Sequence, residues 1–243
     1  MKSTIFGMRI CALLVFVCTV AGAEEPSVIY RGRRITPDNR FEYRDFVPSS
    51  TDVEKLTRQP EKITAKVEKS EEEVEGSLYT LSDFHGVFPF PMEKLIPVFT
   101  EYENEHEIYT RMLYTKDLSP DKGPMEPHFQ EVKTGFKFFG VGTEQHYILY
   151  KKPKRLSGNE FLIKWNLAES VDGEFYLYYG SWYLRQLPPK ASDSTPRTYL
   201  RNYAVIGYVD PPKGIKLAYK LFLEREMRSF FKDVYDAAAD EGF

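Results

Sequence analysis

The sequence predicts an α+β fold in which a curved antiparallel sheet of seven strands wraps one long C-terminal helix, with a short helix pair after the first strand. Three observations predict it. After Pro211-Pro212-Lys213-Gly214, apolar residues recur every three or four positions (Ile215, Tyr219, Leu223, Met227, Phe230, Val234), which places them on one face of a helix reaching residue 239. From residue 128 to residue 209, extended runs are separated by turn clusters such as Gly140-Val141-Gly142-Thr143, Ser157-Gly158-Asn159 and Val171-Asp172-Gly173. Strands joined by such hairpins pair antiparallel. An amphipathic helix that follows a long run of strands must bury its apolar face against them.

At the start of the chain, Lys2 and Arg9 precede an uncharged run at residues 10–20, and Ala21-Gly22-Ala23 supplies small residues. Residues 1–23 read as an export signal cleaved after Ala23, because the run falls well short of the roughly 20 apolar residues of a membrane span. Bulky Val17 before Cys18 disfavours a lipid anchor. Both cysteines, Cys11 and Cys18, fall in the signal, so the processed chain has no disulfide, thiolate metal site or cysteine nucleophile. Losing Lys2 and Arg9 takes the basic count from 33 to 31 against 36 acidic residues, a charge near −5. That balance argues against nucleic acid as a partner. No later apolar run is long enough to give the processed chain a stable membrane span.

Residues 24–72 form a polar N-terminal arm or linker with scattered prolines, and the basic Arg31-Gly32-Arg33-Arg34 is balanced by Asp38, Glu42 and Asp45. Within it Ile63, Ala65 and Val67 alternate with charged residues, a short exposed strand. Ser70-Glu71-Glu72-Glu73 lacks the Gly and spaced Asp of a calcium loop. The main domain covers residues 73–243. Its first strand carries Leu78, Thr80, Ser82, Phe84, Gly86 and Phe88 on one parity. Pro91 opens a helix with Met92, Leu95, Ile96 and Phe99 on one side, and Pro97 breaks it into a pair. Further strands are expected at residues 108–116, 128–139, 144–152, 160–169, 174–187 and 197–209.

Alternation decides which side chains face the helix. Phe161, Ile163, Trp165 and Leu167 share one apolar parity; Lys133 and Lys137 point outward, leaving Val132, Phe136 and Phe138 inward. Arg185 and Arg201 mark the odd parities as outer, which puts Tyr176, Tyr178, Gly180, Trp182 and Leu184, and then Leu200, Asn202, Ala204 and Ile206, inside. These residues either fill a packed core or line a pocket. The candidate ligand-binding set is Phe136, Phe138, Trp165, Tyr178, Trp182, Asn202, Ile206, Tyr219, Phe222 and Leu223. Asn202 is the polar exception. A buried Asn without partners costs about 1–3 kcal/mol, so it bonds a neighbour or a ligand head group.

Catalytic signatures do not emerge. His85, His106, His128 and His146 fall in different elements without metal-ligand spacing. There is no GxSxG, and Gly140-x-Gly142 lacks the third glycine and following helix of a phosphate cradle. No catalytic residue, metal or cofactor is nominated.

Two stretches resemble a known group. PMEKLIPVFTEYEN at residues 91–104 is similar to a short helix ending in a (T/L)-D-Y-x-N turn, with Glu101 in place of Asp. Trp165-Asn166-Leu167, Asp172-Gly173, Gly180-Ser181-Trp182-Tyr183-Leu184 and residues 198–203 are similar to a pattern of Trp, turn, Gly-x-Trp and Thr-led strand. Both resemble the START-like superfamily, the helix-grip fold that includes polyketide cyclases and birch-pollen allergens; the likeness is closest in flavour to the coenzyme-Q-binding START-like domains. The resemblance implies a hydrophobic cavity between sheet and terminal helix and carries over no catalytic residue. The expectation is an exported, non-catalytic protein, periplasmic or secreted, that holds a lipid, isoprenoid or polycyclic molecule. Two alternatives stay open. One is an envelope protein–protein interaction module with a filled cavity, using its arm or a tyrosine-rich outer face at Tyr179, Tyr183, Tyr199 and Tyr203. The other is a cyclase-type enzyme. A cavity below roughly 300 Å³ favours the interaction module.

Overall fold

The computed structural model describes residues 25–38, 42–58, 62–69, 78–138, 141–189, 194–209, 211 and 215–240; side chains are described for these except 62–69, 136–138, 141–143 and 215–224. The expected signal at residues 1–23 lies outside the described residues. A hairpin of β1 (Val28–Tyr30) and β2 (Arg33–Ile35) comes first, then α1 (Val53–Arg58). The domain continues with β3 (Lys62–Lys69), β4 (Leu78–Phe88), α2 (Met92–Thr100) and α3 (Glu105–Ile108). There follow β5 (Met112–Asp117), β6 (His128–Phe138), β7 (Val141–Ser157), β8 (Glu160–Ser170), β9 (Phe175–Leu187), β10 (Arg197–Tyr208) and α4 (Ile215–Ala239).

Strands β5 to β10 form a meander, β4 pairs with β10, and the spatial order is β3-β4-β10-β9-β8-β7-β6-β5. The seven strands read from the sequence are β4 to β10. An eighth, β3, adds to the β4 edge with Lys62 opposite His85 and Lys69 opposite Leu78. Gly173 takes φ +77° in the β8–β9 turn, the conformation an Asp-Gly hairpin needs. Pro97 cannot donate to the α2 ladder, and the helix ends one turn later, at a cap where the Glu101 N–H donates to the Pro97 carbonyl at 3.0 Å.

The concave face holds α4. Phe231, Val234 and Ala238 pack with Phe84, Phe88, Phe161, Ile163, Leu184 and Leu200 of the sheet and with Leu95, Val98 and Phe99 of α2. The inward parities expected for β8 and β10 are those observed. In β9 the exception is Tyr176, expected inside. Gly207 pairs with Leu177 but Tyr208 pairs with Phe175, so Tyr176 is the extra residue of a β-bulge. Phe175 therefore turns inward with Tyr147 and Trp165, while Tyr176 joins Tyr203 and Val205 outside.

The convex face is also covered. Arg44 threads its backbone past Ser181, its N–H donating to Ser181 Oγ at 2.9 Å. Asp38 N donates to the Leu167 carbonyl at 2.8 Å. Tyr203 OH donates to Glu42 at 3.0 Å, with the Arg44 guanidinium 4.3 Å above the Tyr203 ring. Arg201 forks onto Asp83 at 2.8 and 2.7 Å and donates to the Phe46 carbonyl at 3.0 Å. Leu56 of α1 packs with Val87, Leu162, Tyr183 and Tyr199. At the other end Tyr30 and Ile35 of the hairpin pack on Phe129, Ile148 and Tyr150, and Tyr30 OH donates to Glu131 at 2.6 Å. The expectation of an open tyrosine face is thereby corrected: Tyr183, Tyr199 and Tyr203 are 0%, 0% and 3% exposed, and the chain's own N-terminal arm contributes to their cover. Tyr179 is half-buried beside Tyr203. No described helix is long and apolar enough to cross a membrane.

Candidate functional site: a cavity under the C-terminal helix

A cavity of about 250 Å³ lies between the inner face of the sheet and the C-terminal half of α4. Its frame is aromatic. Trp182 stacks on Phe230 of α4 at 5.0 Å and 9°, and Phe84 meets Trp182 edge-on at 5.8 Å. Tyr109 stacks on the other reach of Phe230 at 4.6 Å, and Trp165 meets Tyr178 edge-on at 6.4 Å. The sequence makes room for Trp165 with a glycine. A Cβ at Gly180 would lie 2.5 Å from the indole and 2.2 Å from the Tyr203 carbonyl oxygen. Val132, Leu149, Ala204, Ile206, Met112 and Met227 complete the apolar lining.

The polar groups on the wall are of two kinds. The charged ones are paired: Lys151 Nζ lies 2.6 Å from Glu105 Oε2, with both side chains almost fully buried. Gln130 Nε2 donates to the same Glu105 oxygen at 2.6 Å and to the Tyr102 carbonyl at 2.7 Å. Arg111 forks onto Glu226 of α4 at 2.5 and 2.6 Å. The neutral ones are less well served. The Asn202 side chain, 4% exposed, has no hydrogen-bond partner among the described residues. The Trp165 indole N–H and the Tyr109 hydroxyl are sealed, with no partner among the described residues. Burial pushes the Tyr109 hydroxyl well above its ordinary value, followed by the nearby carboxylates of Glu105 and Asp233, so it stays a neutral phenol.

Of the ten residues singled out from sequence, Trp165, Tyr178, Trp182, Asn202 and Ile206 all line this cavity. Phe136 and Phe138 lie on β6, and Tyr219, Phe222 and Leu223 on α4, with side chains outside the described residues. Sequence reasoning missed Glu105, Tyr109, Arg111 and Lys151. A signal existed for Lys151, which shares its parity with Tyr147 and Leu149. Glu105 opens the four-residue α3, and Tyr109 and Arg111 lie in the α3–β5 connection, where no period operates. The histidines serve local contacts. His85 sits against Tyr199, His106 against Thr115, His128 against Asp117 and His146 against Glu131. No group of three potential metal ligands gathers among the described residues.

No protein-family model matches the chain. No curated protein matches it either. Solved structures do. The Zhui aromatase/cyclase from Streptomyces sp. R1128 superposes with a TM-score of 0.50 at 11% identity, covering 66% of this chain and 93% of that one. The STAR-related lipid transfer protein from Xanthomonas axonopodis (fragment 25–204) aligns at TM-score 0.49 and 11% identity, covering 72% and 99%. Human StAR-related lipid transfer protein 5 aligns at 0.48 and 10%, covering 76% and 94%. At such identities the likeness speaks to architecture alone. Together with the strand order and the helix held in the sheet, it makes this the START-like helix-grip fold.

Proposed function

We propose that the chain is an exported binding protein that encloses a small hydrophobic molecule between its sheet and α4, without catalysing a reaction. The observation that carries this is Asn202. Its carboxamide has no partner among the described residues and stands on the wall of a cavity framed by aromatic rings, so a ligand that covers it without pairing with it costs about 1–3 kcal/mol. A ligand that pairs with it avoids that penalty while its apolar body fills the remaining space, at about 25 cal/mol per Å² buried. Binding without chemistry is supported by the state of the acids at the wall: Glu105 is tied to Lys151 and Gln130, and Glu226 to Arg111. Export is supported by the leader-like residues 1–23. The location following from it is the periplasm or the extracellular space.

One observation favours the second reading, an interaction module. The cavity of about 250 Å³ falls just under the usual range of about 300–1,000 Å³ for small-molecule sites. The covering of the tyrosine face by the arm weighs against it. Native mass spectrometry of the chain lacking residues 1–23, purified from its own host and then extracted into organic solvent, separates the two. A stoichiometric lipid, isoprenoid or quinone adduct supports enclosure. A clean apo mass, with no uptake from a panel of those compounds, sinks it in favour of the interaction module.

A further inference from the structure

We infer that the cavity selects uncharged oxygenated molecules, alcohols or carbonyl compounds, over carboxylates or phosphates of the same skeleton, with Asn202 as the residue that reads the oxygen. The inference rests on the enclosure reading above and narrows it to a ligand class. Two features of the wall carry it.

The first is charge balance. Among the described lining residues the cations are Arg111 and Lys151, and each already holds a carboxylate: Glu226 in a two-bonded fork, Glu105 at 2.6 Å. Among the described residues, then, neither lining cation is left without a carboxylate before any ligand enters. An anionic head group brings a charge with no counterion into a space walled by aromatic rings, where desolvation is not repaid. Displacing Glu105 from Lys151 only transfers the problem, since Glu105 is itself almost fully buried.

The second is the position of the unpaired group. Asn202 lies mid-strand on β10, opposite Phe84 of β4 on one side and Trp182 of β9 on the other. Its carboxamide offers a donor and an acceptor between two aromatic rings, so it pairs with a hydroxyl or a carbonyl and leaves the flanking rings for an unsaturated skeleton. A site built around a neutral hydrogen-bonding group discriminates against ligands lacking the matching oxygen, because the buried amide then stays unpaired. With a volume of about 250 Å³, the space suits a molecule the size of a monoterpenoid rather than a two-chain lipid.

The chain has two tryptophans, and both line the cavity, so intrinsic tryptophan emission reports occupancy without a label. Four probes of one size class separate the terms: geraniol, citral, geranate and the hydrocarbon myrcene, titrated at pH 7.5 into the chain lacking residues 1–23. Expected are saturable quenching by geraniol and citral, and affinity for geranate at least about tenfold weaker. Asn202→Leu is expected to weaken geraniol about five- to tenfold, bringing it to the level of myrcene, while myrcene itself binds as in the parent. Should Asn202→Leu fail to fold, Asn202→Ala reads the same loss. Geranate binding as tightly as geraniol overturns the inference, as does a folded Asn202 variant that keeps the parent's affinity for geraniol; in either case enclosure still stands. Absence of quenching by all four probes, myrcene included, defeats enclosure itself.

Discussion

Leu56→Ala tests whether the N-terminal arm is a structural part of the domain. Leu56 is 4% exposed and packs among Val87, Leu162, Tyr183 and Tyr199 on the convex face. Truncating a buried Leu to Ala costs about 2–5 kcal/mol, the spread reflecting how far the site collapses. Here the helix has six residues and a neighbouring chain that can settle inward, which places the loss at the low end, about 2–3 kcal/mol. The loss falls on the arm's own docking equilibrium, because α1 opens without disrupting the β4–β10 ladder. At 1.4 kcal/mol per factor of ten, opening becomes roughly 30- to 150-fold more frequent. Hydrogen exchange followed by mass spectrometry reads this directly: peptides covering residues 42–58 lose protection by that factor, and peptides from β8 do not change. Equal exchange in parent and variant, or an arm already unprotected in the parent, would refute the packing argument.

Other outcomes follow from the same contacts. Lys151→Met strands the Glu105 carboxylate in the interior and is expected to cost about 3–5 kcal/mol in urea unfolding, with much of it recovered by adding Glu105→Gln; an unrecovered double variant argues against the pair. Gly180→Ala drives a Cβ into the Trp165 ring and the Tyr203 carbonyl, costing about 1–3 kcal/mol and shifting tryptophan emission; an unchanged spectrum and melting point contradict this. The β1–β2 hairpin is held by Tyr30 and Glu131, and its docking depends on pH at both extremes. Burial alone raises the Glu131 carboxyl, but hydrogen bonds from Tyr30 and His146 hold it below 4.5; the Tyr30 hydroxyl is pushed from 10.0 to about 12, first by burial and then by Glu131. The carboxylate's contribution is present above pH 4.5 and lost as pH falls below it; the phenol's is present below pH 10.0 and lost as pH rises towards 12. Protection of the Ile35 region should therefore fall off on both sides of a plateau, and Tyr30→Phe should abolish the alkaline limb; a variant that keeps that limb rules the assignment out.

What the sequence disclosed, and what it hid, follows from the range of the interactions involved. Periods of two and of three to four residues are local, and they placed β4, β6, β8, β10 and α4 within a few residues. β7 runs to Ser157, well past the expected residue 152, because Pro153, Lys154 and Arg155 give no strand signal of their own. In the structure β6 begins opposite Lys151, so beyond that point β7 pairs with β8 alone and has an open edge, where Pro153 needs no donor. The bulge at Tyr176 is set by pairing with β10 and leaves no mark in β9 itself. The arm's seat is invisible for the same reason. Arg44 meets Ser181 across 137 positions, and nothing near either residue announces it. One trace was available. Strand β9 carries aromatics on both parities, the composition of a strand buried on both faces. Within the site, alternation brought Asn202 and both tryptophans to the inner face, whereas Glu105 depends on where the short α3 sits and Arg111 on how the α3–β5 connection folds back over the sheet.

The N-terminal arm also imposes an order on biosynthesis. Tyr30 finds Glu131 at a separation of 101 residues, and Glu42 finds Tyr203 at 161. A ribosome adding about 5–20 residues per second needs roughly 8–30 s to make that second stretch. The hairpin therefore waits for β6 and β7, and the stretch at residues 42–58 has no complete docking surface until β9 and β10 exist. During that interval Leu56 lacks Tyr183 and Tyr199 and is open to chaperones and proteases, and a chain truncated early in β9 would leave α1 permanently without that half of its seat.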